Sequence, residues 1–199
     1  MIDEIIFEVL RHRLDAINDD AASVLARLSG SHLAAEARDL NTVIMRRTAG
    51  SSAAAGTCSP RSCRCTWSYA TFWTITRTIR ALSRATSSSP TIPTSGRCTS
   101  DVVVVAPIFV AGRIVGWCGS TAHQPDVGGP NPGGITYDAR SIFDEAQPMP
   151  PLRIVEGGRL RRDIEREYLI RSRTAELNRL DLHGQIVANR GVVDQVTRL

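Results

Sequence analysis

The sequence predicts an α+β fold: an N-terminal helix, a central β-hairpin or sheet, and C-terminal helices. Three observations carry that prediction. Apolar residues recur at three- and four-residue steps over the first 28 positions, a valine-rich run with a glycine turn fills 101–118, and helical patterns return over 159–189. The first and third have the period of a helix lying on a core, the second that of paired strands.

The opening helix is expected over residues 3–28, with Ile6, Val9, Leu10, Ile17, Ala21, Val24, Leu25 and Leu28 as its apolar stripe. Asp3 is placed to cap its start and Ser29-Gly30 to end it. Such a stripe means packing, so His12 on this helix reads as a surface or partly buried polar residue and not a ligand. The hairpin is expected from Val102-Val103-Val104-Val105 and Ile108-Phe109-Val110, the turn Ala111-Gly112, and Ile114-Val115-Gly116-Trp117-Cys118. A Gly/Pro-rich loop then spans 126–135 and contains Asp126-Val127-Gly128-Gly129-Pro130. Loops of this kind connect elements at the surface, and when strands hold them they also carry binding groups. Arg159 to Arg173 alternates in charge and predicts a solvated helix with ion pairs. Leu177 to Asn189 is a second helical stretch, with Leu177, Leu180, Ile186 and Val187 as its stripe and His183 as a face residue.

With 199 residues the chain can bury one ordinary core, so a single domain over 1–199 is expected. Its 42% hydrophobic and 22% charged content excludes a disordered or fibrous protein. No apolar run approaches the roughly 20 residues that span a bilayer. The best, Val102 to Val110, is short and contains Pro107, while Asp3 and Glu4 stand where a signal peptide would be basic. A cytoplasmic location with no membrane partner is the expectation, and the five Cys are then not structural disulfides. A net charge of +4 hints at nucleic acid, but the excess is local and predicts no such partner.

The local source of that excess is the middle of the chain. No Asp or Glu occurs from Leu40 to Ser100, whereas the remainder carries all 20 acids. The same stretch holds Cys58, Cys63, Cys65 and Cys98, two of the three Trp, and no clean helical or strand period. A nucleic-acid segment would interleave aromatics with basic residues, as Trp67, Tyr69, Phe72 and Trp73 could. A zinc site would want paired thiols, and no CxxC pair is present. A third reading fits better: translation out of frame over 46–100. Every basic residue here is Arg, which marks a GC-rich coding sequence. Regrouping the codons of Cys65 to Arg77 by one base permits Y-M-V-L-R-N-I-L-D-D-Y-A, an amphipathic helix with its acids restored. The step from Trp73 to Thr74 forces an Asp in that frame, because Trp has one codon and every Thr codon begins alike. Residues 46–100 are therefore expected to be poorly ordered, since a wrong pattern cannot bury enough apolar surface to offset chain entropy.

Outside that window the segments I-I-F-E-V-L-R-H-R-L-D-A-I-N-D-D (5–20) and A-R-D-L-N-T (37–42) resemble the opening helix of the hydantoinase B/oxoprolinase family and the segment after it. S-D-V-V-V-V-A-P-I-F-V-A-G-R-I-V-G-W (100–117) and T-A-H-Q-P-D-V-G-G (121–129) resemble its hairpin and the H-x-x-D-V-G-G loop after it. I-F-D-E-A-Q-P-M-P-P-L-R-I-V-E-G-G (142–158) and Q-I-V-A-N-R (185–190) match as well. The resemblance implies an N-terminal fragment of a longer α/β subunit, and an ATP-dependent opening of a lactam or hydantoin ring. Acetone- or acetophenone-type carboxylation is the alternative, and an inactive remnant the other. It also implies a hetero-oligomer in which a hydantoinase A-type subunit binds ATP, in keeping with the absence of a G-x-x-x-x-G-K-[ST] loop here.

The resemblance further assigns a divalent metal ion to His123, Asp126 and Asp101. His123 and Asp126, three apart just after a strand, could aim an imidazole and a carboxylate at one ion, with Gly128-Gly129 letting the backbone approach. Asp101 matches the Asp of a second H-x-x-D whose His position holds Cys98, and Gln124 stands where many relatives have a further His. No residue is assigned a catalytic role.

Overall fold

The computed structural model describes residues 4–46, 56–58, 90–93, 100–134, 136–141, 144–147 and 149–199. The out-of-frame reading of 46–100 therefore lies outside the described residues, apart from the backbone of Arg46 and of two short strands, and Ser100.

Helix α1 runs over Glu4–Leu28, with Glu4 in its first turn and Arg27 in its last, each complementing the helix dipole. Only the middle of the expected stripe packs as predicted. Ile17, Ala21 and Leu25 are buried, while Ile6 (54%), Val9 (47%) and Leu10 in the first turns and Leu28 at the end are exposed. His12 lies on that exposed part. A short helix α2, His32–Ala35, comes next, capped by Ser31 Oγ, which accepts from the Ala34 amide at 3.2 Å.

Six strands make one antiparallel sheet: β1 (Leu40–Arg46), β2 (Gly56–Cys58), β3 (Pro90–Pro93), β4 (Asp101–Val110), β5 (Arg113–His123) and β6 (Leu152–Arg153), in the order β2-β1-β5-β4-β3-β6. A small hairpin, β7 (Val155–Glu156) with β8 (Arg159–Leu160), leads to α3 (Arg162–Leu169) and α4 (Ala175–Thr197). The fold is α+β, as the periodicities predict. Helix α3 and its flanks carry the expected surface ion pairs, Arg161 with Asp163 and Arg171 with Glu167, each at 2.6 Å.

The β4–β5 hairpin turns through Ala111 (φ 49°) and Gly112 (φ 74°). Two positive φ values make the turn whose twist matches that of paired strands, hence the glycine. Val110 pairs with Arg113, but from Ile108 opposite Gly116 onward the register has moved by one residue, leaving Val115 as the extra residue of a bulge. That shift sets Asp101 directly opposite His123 at the open end of the hairpin.

Alternation along the strands splits the sheet into two faces. Leu40, Ile44, Ala106, Ile108, Cys118 and Ala122 pack under α1 and α4. Val43, Met45, Val103, Val105 and Trp117 form a separate cluster on the other face.

Helix α4 corrects the expected stripe. Leu180 and Val187 are each 47% exposed and Leu177 is 36% exposed, whereas Asn178, Asp181, Leu182, Gln185, Ala188 and Asn189 are buried. Polar members of that face tolerate burial because they find backbone partners. Gln185 Nε2 donates to Val102 O (2.8 Å) and Ser120 O (3.0 Å), and Asn189 Nδ2 donates to Val104 O (2.8 Å). Asp181 Oδ1 accepts from the amides of Gly30 (2.9 Å) and Ser31 (3.1 Å), tying α4 to the α1–α2 connection. Gly184 lets α1 come close, since a Cβ there would meet Leu25 Cδ1 at 3.2 Å. His183, expected as a face residue, is half-exposed and pairs with the buried Glu165 at 2.5 Å.

Candidate functional site

The open end of the β4–β5 hairpin gathers three ionisable side chains. Because Asp101 and His123 are direct cross-strand partners, their side chains leave the sheet on the same face. Leu40 pairs with Ala122 on the other side of β5, so Asp39 stands beside His123, and the His123 amide donates to Asp39 O at 3.0 Å to extend that ladder. The row Asp39, His123, Asp101 is thus set by three adjacent strands. His123 Nδ1 lies 3.0 Å from Asp101 Oδ1 and 3.9 Å from Asp39 Oδ2. By strand alternation the row lies on the face of Val103, Val105 and Trp117, away from α1 and α4. Asp101 is buried and His123 partly so, which strengthens their interaction relative to a solvated pair.

The loop after β5 is built around Asp126, 2% exposed. Its Oδ1 accepts from the amides of Gly128 and Arg173, both at 2.9 Å, and its Oδ2 accepts from the Gly133 amide and from Arg173 Nη1, again at 2.9 Å. A carboxylate has about four lone-pair sites, and all are taken. Burial alone would raise this carboxyl's pKa, but the Arg173 and Gly133 amides, the Arg173 guanidinium and the Gly128 amide together hold it below the usual carboxylate range.

The Asp126 main chain is held as firmly. Its carbonyl accepts from Asn178 Nδ2 at 2.7 Å and Ser172 Oγ at 2.8 Å, from the start of α4 and the α3–α4 junction. Gly128 has φ 90°, and a Cβ there would come within 2.4 Å of Arg171 O, so glycine is required by the approach of that junction. Gly129 also has positive φ, 86°. The close approaches at Gly128 and Gly129 are made to the chain's own backbone, at Arg171 O and at Ala146 N.

Of the three metal positions expected, the structure brings His123 to Asp101 and adds Asp39. Asp126 bonds instead to Gly128, Gly133 and Arg173. Gln124 is fully buried, its amide donating to Ser100 O at 2.8 Å and its Nε2 to Ala122 O at 3.4 Å. Among the described residues no group of three His, Cys, Asp or Glu side chains is arranged to hold a metal ion. The 3.0 Å between His123 Nδ1 and Asp101 Oδ1 suits a hydrogen bond. It also suits two adjacent ligands each about 2.1 Å from a shared ion. These two fit a divalent ion as part of a ligand set, and Cys98, at the position of the second H-x-x-D, lies outside the described residues.

Sequence reasoning misses Asp39 and Arg173. Asp39 lies within the A-R-D-L-N-T segment, but its role depends on which strand β1 pairs with. Arg173, 47 residues from Asp126, sits in what reads as one more charge of a solvated run. Cys118, a free cysteine, is fully buried under α4, and burial pushes its thiol up to about 12, which removes it as a nucleophile.

Comparison with known proteins agrees with this fold. The family model for Hydantoinase B/oxoprolinase matches residues 3–199. A 5-oxoprolinase of Dictyostelium discoideum is 34% identical over 89 residues, 45% of this chain and 7% of that protein. The caprolactamase subunit beta of Pseudomonas jessenii is 32% identical over 85 residues, 43% of this chain and 15% of that one. The acetophenone carboxylase delta subunit of Aromatoleum aromaticum is 34% identical over 64 residues, 32% of this chain and 9% of that one. Two solved structures share the fold at 17% identity. A nucleotide-free acetone carboxylase has a TM-score of 0.81, covering 99% of this chain and 26% of its own. The ATP-dependent caprolactamase from Pseudomonas jessenii has a TM-score of 0.78, covering 100% of this chain and 34% of its own. The chain thus spans a small part of each of these relatives. With the family model matching nearly end to end, the chain belongs to the hydantoinase B/oxoprolinase family.

Proposed function

We propose that this chain forms part of a subunit of an ATP-dependent cyclic-amide hydrolase that opens a lactam or hydantoin ring. The observation that carries the reading is the Asp101–His123 pair at 3.0 Å, held at the rim of the sheet beside a fully bonded D-V-G-G loop. Relatives named as a 5-oxoprolinase and a caprolactamase support ring opening as the reaction class.

A ring amide resists attack because resonance must be broken, and ATP-driven activation of its carbonyl oxygen supplies a better leaving group. ATP is bound by a hydantoinase A-type companion, making the working protein a cytoplasmic hetero-oligomer. Asp101 and His123 contribute a carboxylate and an imidazole to a divalent ion, with Asp39 beside the ring. When bound, that ion supplies Lewis-acid polarisation of a carbonyl or a more acidic water. The chain's own residues bring the two donors together: strand pairing sets Asp101 opposite His123 and the Asp39 carbonyl holds the His123 backbone, so imidazole and carboxylate would exchange their mutual contact for a shared ion with little movement.

The test is coexpression of the chain with its hydantoinase A-type companion and measurement of ATP-dependent ring opening of 5-oxoproline, hydantoin and caprolactam. Product formation that needs both proteins and a divalent ion is expected. A second reading, ATP-dependent carboxylation of acetone or acetophenone, is favoured by the match to an acetophenone carboxylase subunit. Bicarbonate-dependent ketone consumption in the same preparation would select it. The acid-free stretch favours a third, an inactive remnant, which is selected if the purified pair shows neither activity.

A further inference from the structure

We propose that Arg173 is a positioning residue for the Asp101–His123 pair, acting through Asp126 as the keystone of the glycine loop. This inference rests on the proposed role of that pair, and it adds a residue 50 positions downstream of His123 on a different element.

The α3–α4 junction, residues 170–174, presents a ready surface of donors to the loop. Arg173 makes four of the contacts. Its amide and Nη1 reach the two oxygens of Asp126 at 2.9 Å, Nη2 reaches Gly129 O at 2.6 Å, and Nη1 also lies 3.4 Å from Asn131 O. Its neighbour Ser172 adds a bond to Asp126 O at 2.8 Å. The guanidinium thus spans 126, 129 and 131 at once. Only a planar fork can do this, and a lysine ammonium would satisfy one of the three sites.

Asp126 passes the constraint on by two routes. One is the chain itself, three residues back to His123, whose neighbour Gln124 is pinned by its amide to Ser100 O at 2.8 Å. The other runs through Gly133, whose amide donates to Asp126 Oδ2 at 2.9 Å and whose carbonyl accepts from Ser100 Oγ at 3.2 Å. Ser100 precedes Asp101. Both members of the pair are therefore close in the chain to a group that Asp126 organises, and Asp126 is organised by Arg173. The loop has no helix or strand of its own between 124 and 131, so these bonds, together with those of Ser172 and Asn178 to Asp126 O, hold it.

The experiment compares the full chain with R173M and R173K by amide hydrogen exchange and by Mn²⁺ titration. In R173M the Gly128 and Gly133 amides should exchange at least about tenfold faster, as expected when a protecting local structure opens. The Val104 and Ser120 amides in the hairpin should be unchanged and serve as the folding control. Mn²⁺ affinity should fall up to about 10-fold, the low end of the cost of losing a direct partner of a ligand, because Arg173 acts one step further out, and R173K should fall between R173M and the parent. Unchanged exchange at Gly128 and Gly133 overturns the proposal. Faster exchange with unaltered Mn²⁺ affinity also overturns it, leaving Arg173 a purely structural residue. If the parent chain binds no Mn²⁺, the metal reading fails by itself, and positioning is then decided on the His123 ring resonances: displaced in R173M if Arg173 acts on the pair, unmoved if it does not.

Discussion

Replacing Asp126 with Asn separates a loop-organising carboxylate from a metal ligand. The substitution keeps size and shape but leaves one acceptor where there were two. If the amide oxygen takes the place of Oδ1, the Gly128 and Arg173 amides keep their partner, and the new NH₂ group faces the Gly133 amide and the Arg173 guanidinium, both donors. Two bonds to a charged acceptor are lost, each worth roughly 1.5–3 kcal/mol. The Arg173 side chain is 46% exposed and can turn to water, which recovers part of that. A net cost of about 2–4 kcal/mol results. For a domain of this size about 1 kcal/mol corresponds to 2–4 °C, so a fall in Tm of about 4–16 °C is expected by circular dichroism at a fixed scan rate. D101N is the comparison: its Asn oxygen can still accept from His123, and about 1 kcal/mol or less should be lost. A D126N protein melting within about 2 °C of the parent while losing divalent-ion affinity would refute this reasoning, because that is how a ligand, not a scaffold, behaves.

Other consequences can be checked alongside. H123A and D101A should each abolish measurable Mn²⁺ binding by isothermal titration, while D39N, which alters the more distant carboxylate, should weaken binding and not abolish it. Asp126 has a depressed folded-state pKa, so its contribution to stability is present above the ordinary carboxylate range and is lost as pH falls through the folded value. The urea midpoint of the parent should therefore drop more steeply than that of D126N between about pH 4 and pH 2, a range that starts at the unperturbed Asp value. Deleting Val115 removes the bulge but keeps Ile108 opposite Gly116, so Asp101 stays opposite His123 and Mn²⁺ binding should survive; loss of binding in a folded deletion variant would show that the register depends on the bulge in some other way.

Much of the fold is legible in the sequence because its signals are local. The Ala111-Gly112 turn, the valine run and the long first helix each declare themselves within a few residues, but the turn fixes the pairing only as far as Phe109 opposite Ile114; the bulge at Val115, which moves the partner of Asp101 from Ala122 to His123, carries no local signal. The apolar stripes are less informative. On α4 the buried face is largely amide and carboxylate side chains, and a hydrophobic period cannot show that Gln185 and Asn189 will find strand carbonyls 65 to 85 residues away. The site is legible in type but not in partnership. His123, Asp101 and Asp126 all stand out, yet spacing favours His123 with Asp126, three apart, over His123 with Asp101, which meet only through strand pairing. Arg173 carries no local signal, since an arginine in a charged run looks the same whether it is solvated or holds a loop.

Whether Asp101 and His123 share an ion is tested most directly by an anomalous difference map at the manganese edge, from crystals of the chain with its companion grown in Mn²⁺. One peak is expected within about 2.2 Å of an Asp101 carboxylate oxygen and a His123 ring nitrogen, with Asp126 still bonded to Arg173. A peak coordinated by Asp126, with the Arg173 contact broken, would contradict that assignment.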